Sequence, residues 1–290
     1  MEKKPGCLFC GSADSKESFY PKVQFNNKVF VYQECKNCKL NFNDPLLGND
    51  DFVALYPVEY HDEFYFKSEK KYDKQLSIIK KYGGIKSIVD YGCGDAGFLD
   101  TFSRKGFDCV GVEFNISLVN RLKERYPAIQ FYTVEEFYKE RNKYDCIHLG
   151  DVLEHMTDPN SIVKNLGHKL NEKKYLFIEG PLEHNASLAY WFRKGIFSIR
   201  KKLYPRRKVE GRPYHTFLAN RKNQREMLKK NLLNTLYFKI YETGWPFPEK
   251  IKDCKSIKQV VEYVVSRFSI LVSYLFPSFG NRFYFIGQKT

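Results

Sequence analysis

Short apolar runs alternate with helix-length amphipathic stretches from residue 87 to residue 179. Ile88 and Val89 lead to Asp90, Cys109–Val112 leads to Glu113, and Cys146–Leu149 closes on Gly150. Runs of this kind, apolar on both faces, mark strands buried inside a parallel sheet. Between the first two lies a segment with Phe98, Leu99 and Phe102 at helical spacing. The alternation predicts strands over 87–91, 108–113, 128–132, 144–149 and 174–179, and helices over 96–105, 116–125 and 159–170. That order implies an α/β fold, a Rossmann-like doubly wound sheet with ligands at the carboxyl ends of its strands. Leu236–Tyr241 and Arg282–Ile286 read as two closing strands, and Val260–Phe276 as an apolar helix packed on the sheet or its neighbours.

The pattern divides the chain. Residues 1–45 lack the alternation and carry Cys7-x-x-Cys10 and Cys35-x-x-Cys38, two knuckles 24 residues apart. Each pair can supply half of a tetrahedral zinc site, and a module this small needs such a staple to fold. Cys7, Cys10, Cys35 and Cys38 are therefore candidate ligands of a structural zinc in an N-terminal ribbon. Residues 46–84 form an aromatic linker with a helix, and residues 85–290 hold the main domain. The other four cysteines are scattered, as small buried thiols commonly are.

Charge changes the picture in one place. The 290-residue chain has a net charge of +14 and is 43% hydrophobic, enough for a substantial core. Nine of its Lys and Arg residues, against one acid, fall within 187–212. Leu188, Trp191, Phe192, Ile196, Ile199 and Leu203 recur there at three- and four-residue intervals, predicting a basic amphipathic helix. It reads either as an insertion packed on the core or as a lid that also touches an anionic or membrane surface. Met1–Pro5 is followed by no apolar core, so the expectation is a cytoplasmic protein, peripheral at most to a membrane.

The sharpest chemical signal is Asp90-Tyr-Gly92-Cys93-Gly94-Asp-Ala-Gly97, followed by Glu113 about one βαβ unit later. By letters the glycines also satisfy a dinucleotide fingerprint, but a carboxylate at Asp90 would repel a pyrophosphate. With Tyr144-Asp145-Cys146-Ile147 and Val152-Leu153-Glu154-His155, the block resembles class I S-adenosylmethionine-dependent methyltransferases over residues 80–182. The third glycine of such loops usually stands at the position of Ala96; here it is Gly97. The resemblance implies that Asp90, Gly92, Cys93, Gly94, Glu113, Phe114, Leu149 and Gly150 bind S-adenosylmethionine, with Glu113 on the ribose.

A four-cysteine module, a Tyr-Pro-x-x-Tyr linker and this core together are similar to sugar C-methyltransferases and related glycan-pathway enzymes. That similarity implies a sugar-like small-molecule or glycan-precursor acceptor, and the net charge of +14 makes an anionic one the expectation. It also implies a base drawn from Tyr60 (or Tyr65), Glu154, His155 and His215, although the glutamate expected beside His215 is missing. Histidine suits the task because its pKa lies near working pH. If Asp151 opens a helix, Asp151, Glu154 and His155 share a face and, with His215, resemble the Glu-x-x-Glu-His metal site of metal-dependent O-methyltransferases, which implies a second, divalent metal beside the zinc. An RNA methyltransferase is an alternative on charge, though the bases are concentrated in one stretch. A partner- or membrane-binding protein on a degenerate fold is the non-enzyme alternative.

Overall fold

The computed structural model describes residues 6–56, 72–231, 233–244 and 250–290. Tyr60 and Tyr65 lie outside them.

The main sheet contains the parallel strands β5 (Ser87–Tyr91), β6 (Asp108–Glu113), β7 (Gln130–Thr133), β8 (Tyr144–Gly150) and β9 (Leu170–Pro181). Two later strands, β12 (Leu233–Tyr241) and β13 (Arg282–Lys289), complete it in the order β12-β13-β9-β8-β5-β6-β7. Strand β13 runs antiparallel to both its neighbours, as the two closing apolar stretches require. The order reverses beside β5, so the loop after β5 opens into the crevice where ligands of such sheets bind. Ile88 and Val89 are buried, which explains their unbroken apolar run.

Helices α3 (Gly97–Ser103), α4 (Ile116–Arg125) and α6 (Pro159–His168) follow β5, β6 and β8 and cover the sheet. Their starts are locally encoded. Asn115 caps α4 by accepting from the Leu118 N–H, and Asp158 caps α6 ahead of Pro159. Phe98 and Phe102 of α3 stack at 4.3 Å and are fully buried with Leu99. A short helix between β7 and β8, α5 (Val134–Lys139), carries a Thr133/Glu136 capping box.

The N-terminal module is built from β1 (Ser15–Glu17), β2 (Lys22–Phe25), β3 (Lys28–Cys35) and β4 (Asn41–Asp44). It is not closed within residues 1–45. Strand β10 (Lys208–Glu210) pairs in parallel with β2, and β11 (Phe217–Leu218) pairs antiparallel with β4. The basic insertion forms α7 (Leu188–Leu203), which contacts the module: Lys201 pairs with Glu17 at 2.8 Å and Phe197 packs near Tyr20. Of the linker, α1 (Asn49–Leu55) and α2 (Asp73–Ile79) are helical. Helix α8 (Arg221–Lys230) precedes β12, and α9 (Ile257–Leu275) packs against α7 and β12.

Candidate active site

At the end of β5 the chain turns sharply into α3. Gly92 has φ of +82°, and a side chain on it would lie 2.5 Å from Val152, so only glycine fits. Gly94 and Ala96 are also left-handed, at +52° and +59°. Ala96 therefore holds the left-handed position directly, without the glycine usual there. Glu113, at the end of β6, clamps this turn from across the crevice. Its carboxylate accepts the Gly94 N–H at 3.1 Å, the Phe114 N–H at 2.8 Å and the Asn115 N–H at 3.1 Å. Burial raises its pKa, and those three donors oppose the rise. Phe114 leaves the strand exposed.

Three of the expected cofactor residues are placed differently from a simple lining role. The Cys93 thiol turns inward toward Gly111, where it is buried and its pKa is raised by desolvation. Leu149 is fully buried in the core. Neither side chain can line a ligand site; only the backbone of each is left for that role.

Asp90 is engaged inside the sheet. His148 on β8, its register partner, donates Nδ1–H to Asp90 at 2.7 Å, and its Nε2 lies 3.2 Å from Glu179 on β9. Gln75 of α2 donates to both Glu179 oxygens, and the His148 ring stacks on Phe98 at 4.1 Å. Burial alone would lower the histidine pKa, but Asp90 and Glu179 outweigh it and raise it to about 9. Asp90 thus holds a buried imidazolium rather than standing open to a ligand ammonium. His148 was not legible as a site residue, because only strand register opposes it to Asp90.

A second group forms where β8 ends. The chain makes a 3₁₀ turn over Leu153–His155, and Thr216 ties the 214–216 segment to it. The Thr216 N–H donates to the Glu154 carbonyl at 2.8 Å and its hydroxyl to the His155 carbonyl at 2.9 Å. His155 and His215 meet with ring centroids 5.0 Å apart. The Tyr214 carbonyl, 2.6 Å from His155 Nδ1, can only accept, so Nδ1 carries the proton and Nε2 keeps its lone pair. Tyr56 Oη lies 2.8 Å from the same Nδ1, and Nε2 is 3.8 Å from Glu154. Burial and the charge on His215 lower the His155 pKa to about 4. For His215 burial works against protonation, but Glu183 at 2.7 Å raises the pKa to about 9. Glu183, 32 residues upstream, thus supplies the carboxylate that the sequence lacks beside His215. Burial and Asp151 raise Glu154 to about 8.

The expected four-ligand set does not form. Asp151 does not open a helix: its φ is +56° and its carboxylate pairs with Arg282. With the turn at Leu153–His155, the presumed shared helical face is lost. Glu154, His155 and His215 remain together, with ligand atoms within 4.8 Å of one another.

The four N-terminal cysteines also converge within 4.8 Å. Cys7 and Cys38 sulfurs lie 3.4 Å apart and Cys10 and Cys35 sulfurs 3.6 Å apart. Sulfurs at the corners of a zinc tetrahedron with arms of about 2.3 Å stand about 3.8 Å apart, so these four fit the ion. The residue after each knuckle, Gly11 or Lys39, is left-handed. The module reaches the site through its sheet, where Tyr32 on β3 and Asn43 on β4 both donate to the His215 carbonyl, at 2.7 and 3.0 Å. A cavity of about 460 Å³ lies elsewhere, between β1 and α7.

The family profile described as a methyltransferase domain matches residues 63–224, more than half of the chain. The chain belongs to this methyltransferase family. Among curated relatives, the ubiquinone biosynthesis O-methyltransferase of Acinetobacter baylyi is 29% identical over 97 residues, 30% of this chain and 41% of that protein. Its counterpart in Photorhabdus laumondii is 27% identical over 95 residues, 30% and 40% of the two chains. This methyltransferase chain thus matches about two fifths of the length of those relatives. Two solved structures share its fold. Phosphoethanolamine N-methyltransferase 2 of Haemonchus contortus, bound to S-adenosyl-L-methionine, has a TM-score of 0.50 at 17% identity, covering 86% of this chain and 61% of that one. One chain of the complex between the Haloferax volcanii Trm112 methyltransferase activator and a methyltransferase has a TM-score of 0.51 at 11% identity, covering 82% and 96%.

Proposed function

We propose that this chain is an S-adenosylmethionine-dependent methyltransferase acting on an anionic, sugar- or phosphate-bearing small molecule, with His155 as the base. The observation that carries the assignment is the fixed Nδ1–H tautomer of His155, one turn beyond the strand that faces the glycine loop. S-adenosylmethionine supplies an electrophilic methyl group. The residues fit it: the left-handed Gly92 and Gly94 carry no side chain at the loop, and the Glu113 carboxylate keeps a lone pair on Oε2 beyond its three backbone donors for a ribose hydroxyl.

The lone pair on His155 Nε2 accepts the proton that the acceptor loses. A histidine held neutral well below pH 7 is available as a base across the physiological range. His215, held as a cation by Glu183, keeps His155 deprotonated and favours an anionic acceptor beside it. Both rings are partly open to solvent, as an acceptor site requires.

The convergence of Glu154, His155 and His215 favours a second reading, in which a divalent cation occupies that centre. Each histidine has its Nδ1 anchored, His155 by the Tyr214 carbonyl and His215 by Glu183, as metal-ligating histidines commonly do. The cation would then act as Lewis acid on the acceptor oxygen.

One experiment separates the two. His155→Ala should lower kcat by about 10²–10⁴-fold if His155 is the base, while calorimetric S-adenosylmethionine affinity stays unchanged. Wild-type activity should be indifferent to added magnesium or manganese, and to EDTA under conditions where the zinc content of the protein is unchanged. Abolition by EDTA with rescue by magnesium would transfer the role to the cation. Full activity of His155→Ala would remove the residue from either mechanism.

A further inference from the structure

Helix α9 is inside out. Its most buried residues are Ser266 and Ser269, at 3% and 5% exposure, while Val264, Phe268 and Leu271 stand at 55%, 57% and 53%. The exposed set Ile257, Val261, Val264, Phe268, Leu271 and Leu275 recurs at alternating intervals of four and three residues, one continuous stripe along 19 residues. The neighbouring α7 repeats the arrangement, with Trp191, Phe192, Ile199 and Leu203 exposed. Burying serines while leaving this apolar surface open costs stability, since each such side chain gains about 1.5–3 kcal/mol when removed from water. Stripes of this kind mark a surface with a partner.

The charge around them selects the partner. Lys250, Lys252, Lys255 and Lys258 are exposed where the chain enters α9; Asp253 is the one acid among them, and Lys258 pairs with Glu262 one turn further on at 3.7 Å. The last turn of α7 carries the exposed Arg200 and Lys202 (Lys201 is paired with Glu17), and Arg206, Arg207 and Lys208 follow it. A second copy of this chain would bring a matching cationic fringe against the first, on a molecule already at +14. An anionic bilayer offers apolar depth for the stripes and opposite charge for the fringe. No helix among the described residues is long and apolar enough to cross a membrane. Helix α9 instead has one side against α7 and β12 and the other open, the placement of a helix lying in the interface plane.

We propose that the exposed faces of α9 and α7 form a docking surface for an anionic membrane. Helix α7 begins five residues after Glu183, the partner of His215, so docking sets the candidate active site near the lipid surface, within reach of acceptors anchored there.

The test is flotation of the full-length protein with vesicles of phosphatidylcholine alone, or of phosphatidylcholine mixed with phosphatidylglycerol. The protein should float with the mixed vesicles, less so as salt rises, and hardly at all with phosphatidylcholine. Val264→Glu/Phe268→Glu should reduce partitioning by about tenfold or more, with an unchanged melting temperature because both positions are exposed. Arg206→Glu/Arg207→Glu should remove the preference for anionic vesicles. Absence of wild-type flotation would overturn the proposal, as would equal binding by the Val264→Glu/Phe268→Glu protein. A concentration-dependent dimer in analytical ultracentrifugation, abolished by that same variant, would assign the stripe to a second copy instead. The readout is binding, so its failure is distinct from failure of the methyl-transfer assignment.

Discussion

Two acids near the glycine loop have the same chemistry and different employment. Asp90 is committed to the buried His148 imidazolium, whereas Glu113 faces the turn itself and holds the Gly94 N–H. Glu113→Ala should therefore weaken S-adenosylmethionine binding by about 10–100-fold, the loss expected for hydrogen bonds to a charged acceptor, as read by calorimetry. Unchanged affinity would sink the ribose assignment. Ala96 presents a smaller question. A non-glycine residue in the left-handed region carries about 1–2 kcal/mol of strain, but glycine there loses unfolded-state stiffness and buried methyl contacts. Ala96→Gly should thus shift stability by less than about 1 kcal/mol in chemical denaturation. A larger loss would mean that packing of the methyl group, and not the backbone, fixes the residue.

At the scale of elements, the four-cysteine module and the segment that carries His215 are joined by β11 and by the bonds from Tyr32 and Asn43 to the His215 carbonyl. The glycine loop and Glu113 belong to the other sheet. Zinc removal should consequently damage methyl transfer before cofactor binding. Purified protein is expected to contain one zinc per chain, and stripping it with a strong chelator should lower activity while S-adenosylmethionine affinity persists. If activity survives complete zinc loss, the module does not position His215. The alternating runs at β5, β6 and β8 were readable because burial on both faces leaves an unmistakable apolar signature. Strands β10 and β11 were not, since they are three and two residues long and exist only by pairing with a module some 180 residues earlier.

For the whole molecule, the Asp90–His148–Glu179–Gln75 cluster ties β5, β8, β9 and α2 together at the centre of the fold. The folded pKa of His148, about 9, lies above the ordinary 6.5, so its contribution is complete below pH 6.5 and lost as pH rises through 9. His215, also raised to about 9, acts in the same direction. Stability to denaturant should fall between pH 6.5 and 9 by up to about 1.4 kcal/mol per pH unit for each proton, and His148→Gln should flatten that slope. A pH-independent wild type over this window would mean that neither imidazolium forms. At the acidic end, Glu183 is depressed to about 2: its burial favours the neutral acid, but the His215 cation outweighs it. Its contribution persists above pH 4.5 and fades toward pH 2.

The sequence by itself determined the parallel sheet, the glycine turn with Glu113 and the pairing of two cysteine knuckles, because each rests on local periodicity or on spacing within a few residues. It placed His155 and His215 as candidates without showing that they touch. Tertiary structure alone decided that His148 occupies Asp90, that Glu183 charges His215, that Asp151 leaves the cluster for Arg282, and that α9 turns its serines inward. Those outcomes depend on which strand lies beside which and on the charge each buried group meets there. Partners separated by 32 to 131 positions along the chain leave no periodic trace in it.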